Sequence, residues 1–97
     1  MKTEQIIEEL KKASAQLGIE VRMGKGNFRG GRCIVGDEEI IMLNKRHLPE
    51  ANLVILAESL RDLPIETVFL RPAVRSALEE VWQRNETLRV DTADGDE

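Results

Sequence analysis

Apolar and polar positions alternate along the chain with periods that predict its first elements. Over residues 3–17 the apolar side chains recur at helical spacing, which predicts an amphipathic helix. Gly18 follows at the place where a helix commonly ends in a left-handed residue. Residues 19–24 then alternate apolar with polar, which predicts a half-buried strand.

Two short apolar runs form the next unit. Residues 33–35 and 40–43 flank a polar turn that contains Gly36, and this arrangement is typical of a β-hairpin. With the turn centred on residues 37–38, Val35 would lie opposite Ile40. Because both faces of this hairpin carry apolar side chains, we expect helices to cover the sheet on both sides, at least in part.

The second half of the chain shows three further elements. Pro49 begins a second helix, whose leucine-rich stripe ends before Pro64. Residues 67–70 predict a short fourth strand, and Pro72 starts a third helix. From Asn85 onward the periodic pattern fades.

The predicted fold class is α+β, with the order α-β-β-β-α-β-α. The strands would form an antiparallel three-stranded meander with the short fourth strand joined to it, packed by three helices. Residues 1–85 are predicted to be a single domain. Residues 86–97 are rich in carboxylates and poor in apolar residues, so we expect a disordered acidic tail.

Composition narrows the classes of function. The chain has 97 residues and a formal net charge of −4, which disfavours binding of nucleic acid or anionic membrane by the whole surface. One cysteine and one histidine cannot supply an internal disulfide or a typical structural zinc site, and no cofactor is predicted. The sequence lacks an apolar signal core and a membrane-spanning run, so we expect a cytoplasmic protein without a membrane partner.

A glycine-rich basic loop, GKGNFRGGR, is the least generic stretch of the sequence. Its GxGxxxGG spacing matches neither the dinucleotide fingerprint nor a P-loop. The candidate ligand-binding residues are Arg22, Lys25, Phe28, Arg29, Arg32, Lys45 and Arg46. They could bind phosphate while Phe28 stacks on a base. The alternative is a flexible loop with solvated charges, which we favour here because the net charge is negative and the loop has one aromatic residue.

No catalytic set is complete in the sequence. Cys33 with His47 as base and Asn44 as orienting residue is one arrangement, but a strand-borne cysteine is more often structural. Glu58 and Asp62 lie four residues apart on the second helix, as on many exposed helix faces. We therefore predict that the protein is not an enzyme.

One resemblance covers roughly residues 28–80. The blocks GGRCIVGDEEIIMLNKR, LAESL and FLRPAVRSALEE are similar to short conserved hypothetical proteins of bacteria. The resemblance implies a bacterial protein with a defined fold, and it implies no activity.

A second resemblance rests on residues 33–44 and the helical segment LAESLRD. This combination looks like the strand-strand-helix segment of regulatory zinc peptidases, whose helix carries LAHELGH. Glu58 and Asp62 stand at the two histidine positions, and Ser59 stands at the catalytic glutamate. The resemblance implies a relative that binds no zinc and has lost peptidase chemistry.

The sequence thus favours a non-catalytic protein-interaction or regulatory module, with a protein partner or self-association as a homodimer. Weak nucleic-acid or phosphate-ligand binding through loop 22–32 is the alternative. A degenerate, metal-free relative of a zinc peptidase is the second alternative.

Overall fold

The computed structural model describes the backbone of residues 1–96 and the side chains of residues 1–85. Its helices and strands are α1 (Thr3–Gln16), β1 (Glu20–Gly24), β2 (Gly31–Val35), β3 (Glu38–Asn44), α2 (Pro49–Leu60) and α3 (Pro72–Asp96). The α+β class and the three helices are confirmed. None of the helices in the described part of the chain is both long enough and apolar enough to cross a membrane.

The sheet is mixed, so the predicted antiparallel meander is wrong. Its strand order is β1-β3-β2, with β1 parallel to β3 and β2 antiparallel to it. The connection over residues 25–30 crosses from one edge of the sheet to the other, and β3 then returns between its neighbours. β3 carries the longest apolar run of the three strands, and its Ile41 and Leu43 are completely buried. The central position gives that strand two ladders of hydrogen bonds and the deepest burial.

The β2–β3 hairpin is confirmed, but its register differs from the predicted one. Val35 pairs with Glu38 rather than with Ile40, because the loop contains only Gly36 and Asp37. Gly36 has a φ of 64°, the conformation that a type II′ turn needs at its first central position. The pairs therefore shift by two residues, which leaves every side chain on the face that was predicted for it.

The fourth strand is not present among the described residues. A short 3-10 helix, Ile65–Thr67, stands where that strand was expected to begin. Val68 has extended dihedral angles, and the segment 68–70 has no strand partner among the described residues: Val68 and Leu70 are buried, whereas Phe69 is 83% exposed. An extended segment lying on a core shows the same alternation as a strand, which explains the wrong prediction.

The helices pack on one face of the sheet rather than on both, whereas the expected partial cover of the other face is seen at Ile40, which is 2% exposed. α1 packs against β1, α2 packs against β3 and β2, and α3 packs on the other two helices. The main core includes Ile41 and Leu43 from the helix side of the sheet. On the opposite face, Arg22, Cys33 and Val35 are exposed, and we call this side the open face.

Helix α3 docks through its first three turns. Val74, Leu78 and Val81 enter the main core. Trp82 Nε1 donates a hydrogen bond of 2.6 Å to the carbonyl oxygen of Ala57, near the end of α2. The predicted acidic tail, residues 86–97, lies outside the described side chains and stays a prediction.

Candidate functional site

Asn44 joins the glycine-rich loop to the turn that follows β3. Its Nδ2 donates hydrogen bonds to the carbonyl oxygens of Gly26, at 2.9 Å, and Phe28, at 2.8 Å. Its Oδ1 accepts a hydrogen bond of 2.9 Å from the backbone N–H of Arg46. A single buried side chain therefore brings two segments together that lie on either side of the hairpin.

Asn52 on α2 fixes the backbone of Asn44 in turn. The N–H of Asn44 donates to Asn52 Oδ1 at 3.2 Å, and Asn52 Nδ2 donates to the Asn44 carbonyl at 2.9 Å. Both side chains are buried. The sequence analysis did not predict that this pair organises the site. The one clue in the sequence was the asparagine that directly follows the apolar run of β3.

Gly30 lets the loop pass close to the central strand. Its φ is 99°, and a Cβ added there would lie 2.6 Å from the carbonyl oxygen of Met42. No other residue type fits that contact without a shift of the backbone. The path of the loop is therefore held by glycine geometry at one end and by Asn44 at the other.

A shallow cleft opens between the loop and the turn. It is lined by Gly26, Asn27, Phe28, Arg29, Asn44, Arg46 and His47, and its volume is about 460 Å³. We call it the basic cleft. The Phe28 ring packs against glycine backbone, since a Cβ at Gly26 would lie 3.3 Å from a ring carbon. The ring is half-buried and contributes an apolar surface to the cleft.

The cations of the basic cleft lack carboxylate partners. Arg29 and Arg46 are both exposed, and neither forms an ion pair within the described part of the chain. The same holds for Lys25 and Lys45 among the described side chains. Positive charge is therefore concentrated and unneutralised at this end of the sheet, although the whole molecule is acidic.

The two arginines on the strands behave differently. Arg22, on the open face, donates a hydrogen bond of 3.0 Å to Glu20. This hydrogen bond, together with the negative charge of Glu20, raises the pKa of Arg22. Arg32 lies on the helix side of the sheet and is bound to Glu39. Each of these arginines has a carboxylate partner, and neither lines the basic cleft.

The structure therefore brings together only part of the sequence-predicted set. Phe28, Arg29 and Arg46 line the basic cleft. Lys45 lines a neighbouring cavity of about 340 Å³ that also contains acidic side chains of α1. Lys25 is exposed on the loop and lines neither cavity.

His47 lies between the two cavities and lines both. Its Nδ1 is buried and has no hydrogen-bond partner among the described residues. Such an unmatched polar atom is uncommon in a folded protein. The half-buried ring of His47 forms part of the cleft wall.

The catalytic arrangements considered from the sequence find little support in the geometry. Cys33 sits in the middle of β2 opposite Ile40, and the Asn44 amide is engaged in the loop rather than with His47. On α2, the buried Ser59 hydroxyl donates to the Ile55 carbonyl at 2.8 Å. The described residues contain no group of three side chains arranged to hold a metal ion.

A second surface stands out at the edge of the sheet. Within the described part of the chain β2 pairs only with β3, and four of its five residues are exposed. Ile34 is 74% exposed and Val35 is 51% exposed, beside the free thiol of Cys33. An apolar strand edge of this kind is a template for pairing with another chain.

Comparison with known proteins found no matching family model, no matching curated protein and no matching solved structure. The two resemblances drawn from the sequence stay predictions.

Proposed function

We propose that this chain is a non-catalytic interaction module that associates with a second copy of itself through the edge strand β2. The observation that carries this proposal is the exposed apolar run Cys33, Ile34 and Val35 on an edge strand. Natural proteins usually protect such an edge with lysine, proline or a bulge. This run has none of these devices.

The hairpin geometry fixes which backbone groups are available for pairing. In a two-residue hairpin the residues that flank the loop exchange both hydrogen bonds, and bonded pairs then alternate along the ladder. Val35, Cys33 and Gly31 therefore direct their N–H and C=O groups toward β3. Arg32 and Ile34 direct theirs outward, so the edge offers two donors and two acceptors.

The length of β2 favours one register for a symmetric pair. The strand has five residues, Gly31–Val35, and Cys33 is its centre. A two-fold axis perpendicular to the sheet at Cys33 places Arg32 opposite Ile34 of the second copy, and Gly31 opposite Val35. All outward groups of both strands are then bonded, and the two sheets become one continuous sheet.

Charge does not oppose this pairing. Arg32 is the one charged residue of β2, and its guanidinium is already bound to Glu39 of its own chain. In the symmetric register it faces the apolar side chain of Ile34, so no like charges lie opposite each other. The aliphatic part of Arg32 can cover that side chain.

Sedimentation velocity tests the proposal. The interface is small, so we expect a weak dimer with a Kd on the order of 10–100 μM. Replacing Ile34 with Lys places a charge on the edge, and it should give a monomer throughout this range. The matched control is Phe69→Lys, because Phe69 is 83% exposed, against 74% for Ile34, but lies outside the sheet.

A wild-type monomer at every concentration up to about tenfold above that range would contradict the proposal. If Ile34→Lys and Phe69→Lys weakened the association equally, the proposal would also be contradicted. The association would then arise from nonspecific apolar contacts.

A further inference from the structure

We propose that the basic cleft binds a nucleotide, with a phosphate between Arg29 and Arg46 and the base on Phe28. This is a binding activity separate from the pairing of β2 strands. The cleft combines two chemical features that a nucleotide requires, namely cationic donors and an apolar aromatic surface, within a volume of about 460 Å³.

The arginines supply the anion-binding part. A guanidinium presents paired donors that match two phosphate oxygens, and Arg29 and Arg46 approach the cleft from two different segments. Neither is neutralised by a carboxylate of the described chain, whereas Arg22 and Arg32 on the neighbouring strands are. An anion that enters the cleft therefore displaces no internal ion pair at these two arginines.

Phe28 supplies the stacking part. Its ring packs close to Gly24 and Gly26, where an added Cβ would lie 3.4 Å and 3.3 Å, respectively, from the nearest ring carbon. The two glycines thus let the ring pack closely against the loop while it still lines the cleft. Stacking on an aromatic ring is available to every base, so this surface selects nucleotides without selecting a sequence.

The cleft is organised before any ligand enters. Asn44 holds the carbonyls on both sides of Asn27 and the N–H of Arg46, and Gly30 holds the loop against β3. Binding therefore does not need to order the two segments, which reduces its entropic cost. His47 adds a half-buried ring to the wall, with an Nδ1 that no described residue satisfies.

Fluorescence anisotropy with a short labelled oligothymidylate measures the binding. Two phosphate contacts predict a log–log salt slope of about −1.4 for a single strand. Affinity should therefore fall about sevenfold between 50 and 200 mM salt. Competition by thymidine 5′-monophosphate and by inorganic phosphate, in separate titrations, shows which part of the nucleotide is recognised.

Variants assign the binding to the cleft. Arg29→Gln or Arg46→Gln should each reduce the slope to about −0.7 and weaken binding several-fold at low salt. Arg84→Gln is the matched control, because it removes the same charge from an exposed position on α3 and should leave the slope unchanged. Phe28→Leu keeps an apolar side chain over the glycines and should weaken binding about five- to hundredfold.

Competition by the mononucleotide at concentrations comparable to the strand would assign the site to free nucleotides. Competition only by the strand would assign the site to single-stranded nucleic acid. Either of these two results supports the proposal. No binding at about 50 mM salt would overturn it, since electrostatic association is strongest there. Binding that Arg84→Gln weakens as much as Arg46→Gln does would overturn it too. A melting curve of each variant separates lost binding from lost folding.

Discussion

At the scale of single residues, Asn44 makes the most consequential contacts of the molecule. Its side chain satisfies two loop carbonyls and one backbone N–H, and it does so at 2% exposure. Removing the amide would leave those partly buried groups without their protein partner. An unsatisfied buried polar group costs more than the net gain from an average hydrogen bond.

We expect Asn44→Ala to lower the free energy of unfolding by about 2–3 kcal/mol, because several backbone groups lose their partner at once. Urea denaturation followed by circular dichroism measures this change. Asn27→Ala is the control: this exposed asparagine lines the same cleft without a hydrogen bond to the core, and its loss should cost less than about 0.5 kcal/mol. Equal costs for the two variants would contradict the role given to Asn44.

Single residues also show what the sequence could and could not predict about the cleft. Composition identified the basic loop and its Phe28, and these are local properties of the chain. Which cations share a cleft depends on the path of residues 25–30 across the end of β3. That path separates Arg32 from Arg46. The spacing of residues along the sequence does not predict it.

At the scale of elements, the end of α2 shows how a helix terminus is completed by a neighbouring helix. The last four carbonyls of a helix have no partner inside it. In α2 one of them, the Ala57 carbonyl, accepts the indole N–H of Trp82 at 2.6 Å. Asn85 on the next turn of α3 donates to Glu58 at 3.0 Å, so two polar contacts fix the angle between these helices.

Trp82→Phe keeps most of the packing and removes the hydrogen bond to Ala57. We expect a loss of about 1 kcal/mol in unfolding free energy, measured by thermal and urea denaturation. Arg84→Gln is the control on the same helix, since its exposed ion pair with Glu80 contributes about 0.5 kcal/mol or less. A Trp82→Phe protein as stable as the wild type would show that the indole N–H is equally well satisfied by water.

The elements themselves were largely predictable, because helices and hairpins depend on local periodicity and turn residues. The predicted register of the hairpin was wrong by two residues, because Gly36 at the first loop position permits a shorter turn than the polar run suggested. The prediction of a fourth strand was wrong for a different reason. The buried Val68 and Leu70 alternate with exposed neighbours although no strand of the described chain pairs with them.

At the scale of the whole molecule, the sheet has one face under the helices and one open face, and its edge strand β2 exposes Ile34 and Val35. The strand order could not be read from the sequence, because the pairing of β1 with β3 is a contact between segments separated by the β2 strand. That order has functional consequences. It leaves β2 at the edge and gathers the loop and the turn at one end of the sheet.

Cross-linking through Cys33 tests the pairing of β2 strands most directly. In the proposed register the two Cys33 residues form a non-hydrogen-bonded pair, with Cα atoms about 4.5 Å apart, a separation that a disulfide spans. A cysteine at position 34 in a Cys33→Ala background would be diagonal to its copy at about 7–8 Å, beyond that reach. With oxidised glutathione accepting the two electrons, the wild type should form a disulfide-linked dimer, and the Cys33→Ala/Ile34→Cys variant should form it far more slowly. Equal or faster linkage through position 34, or no linkage of Cys33 at concentrations where sedimentation shows a dimer, would contradict the account.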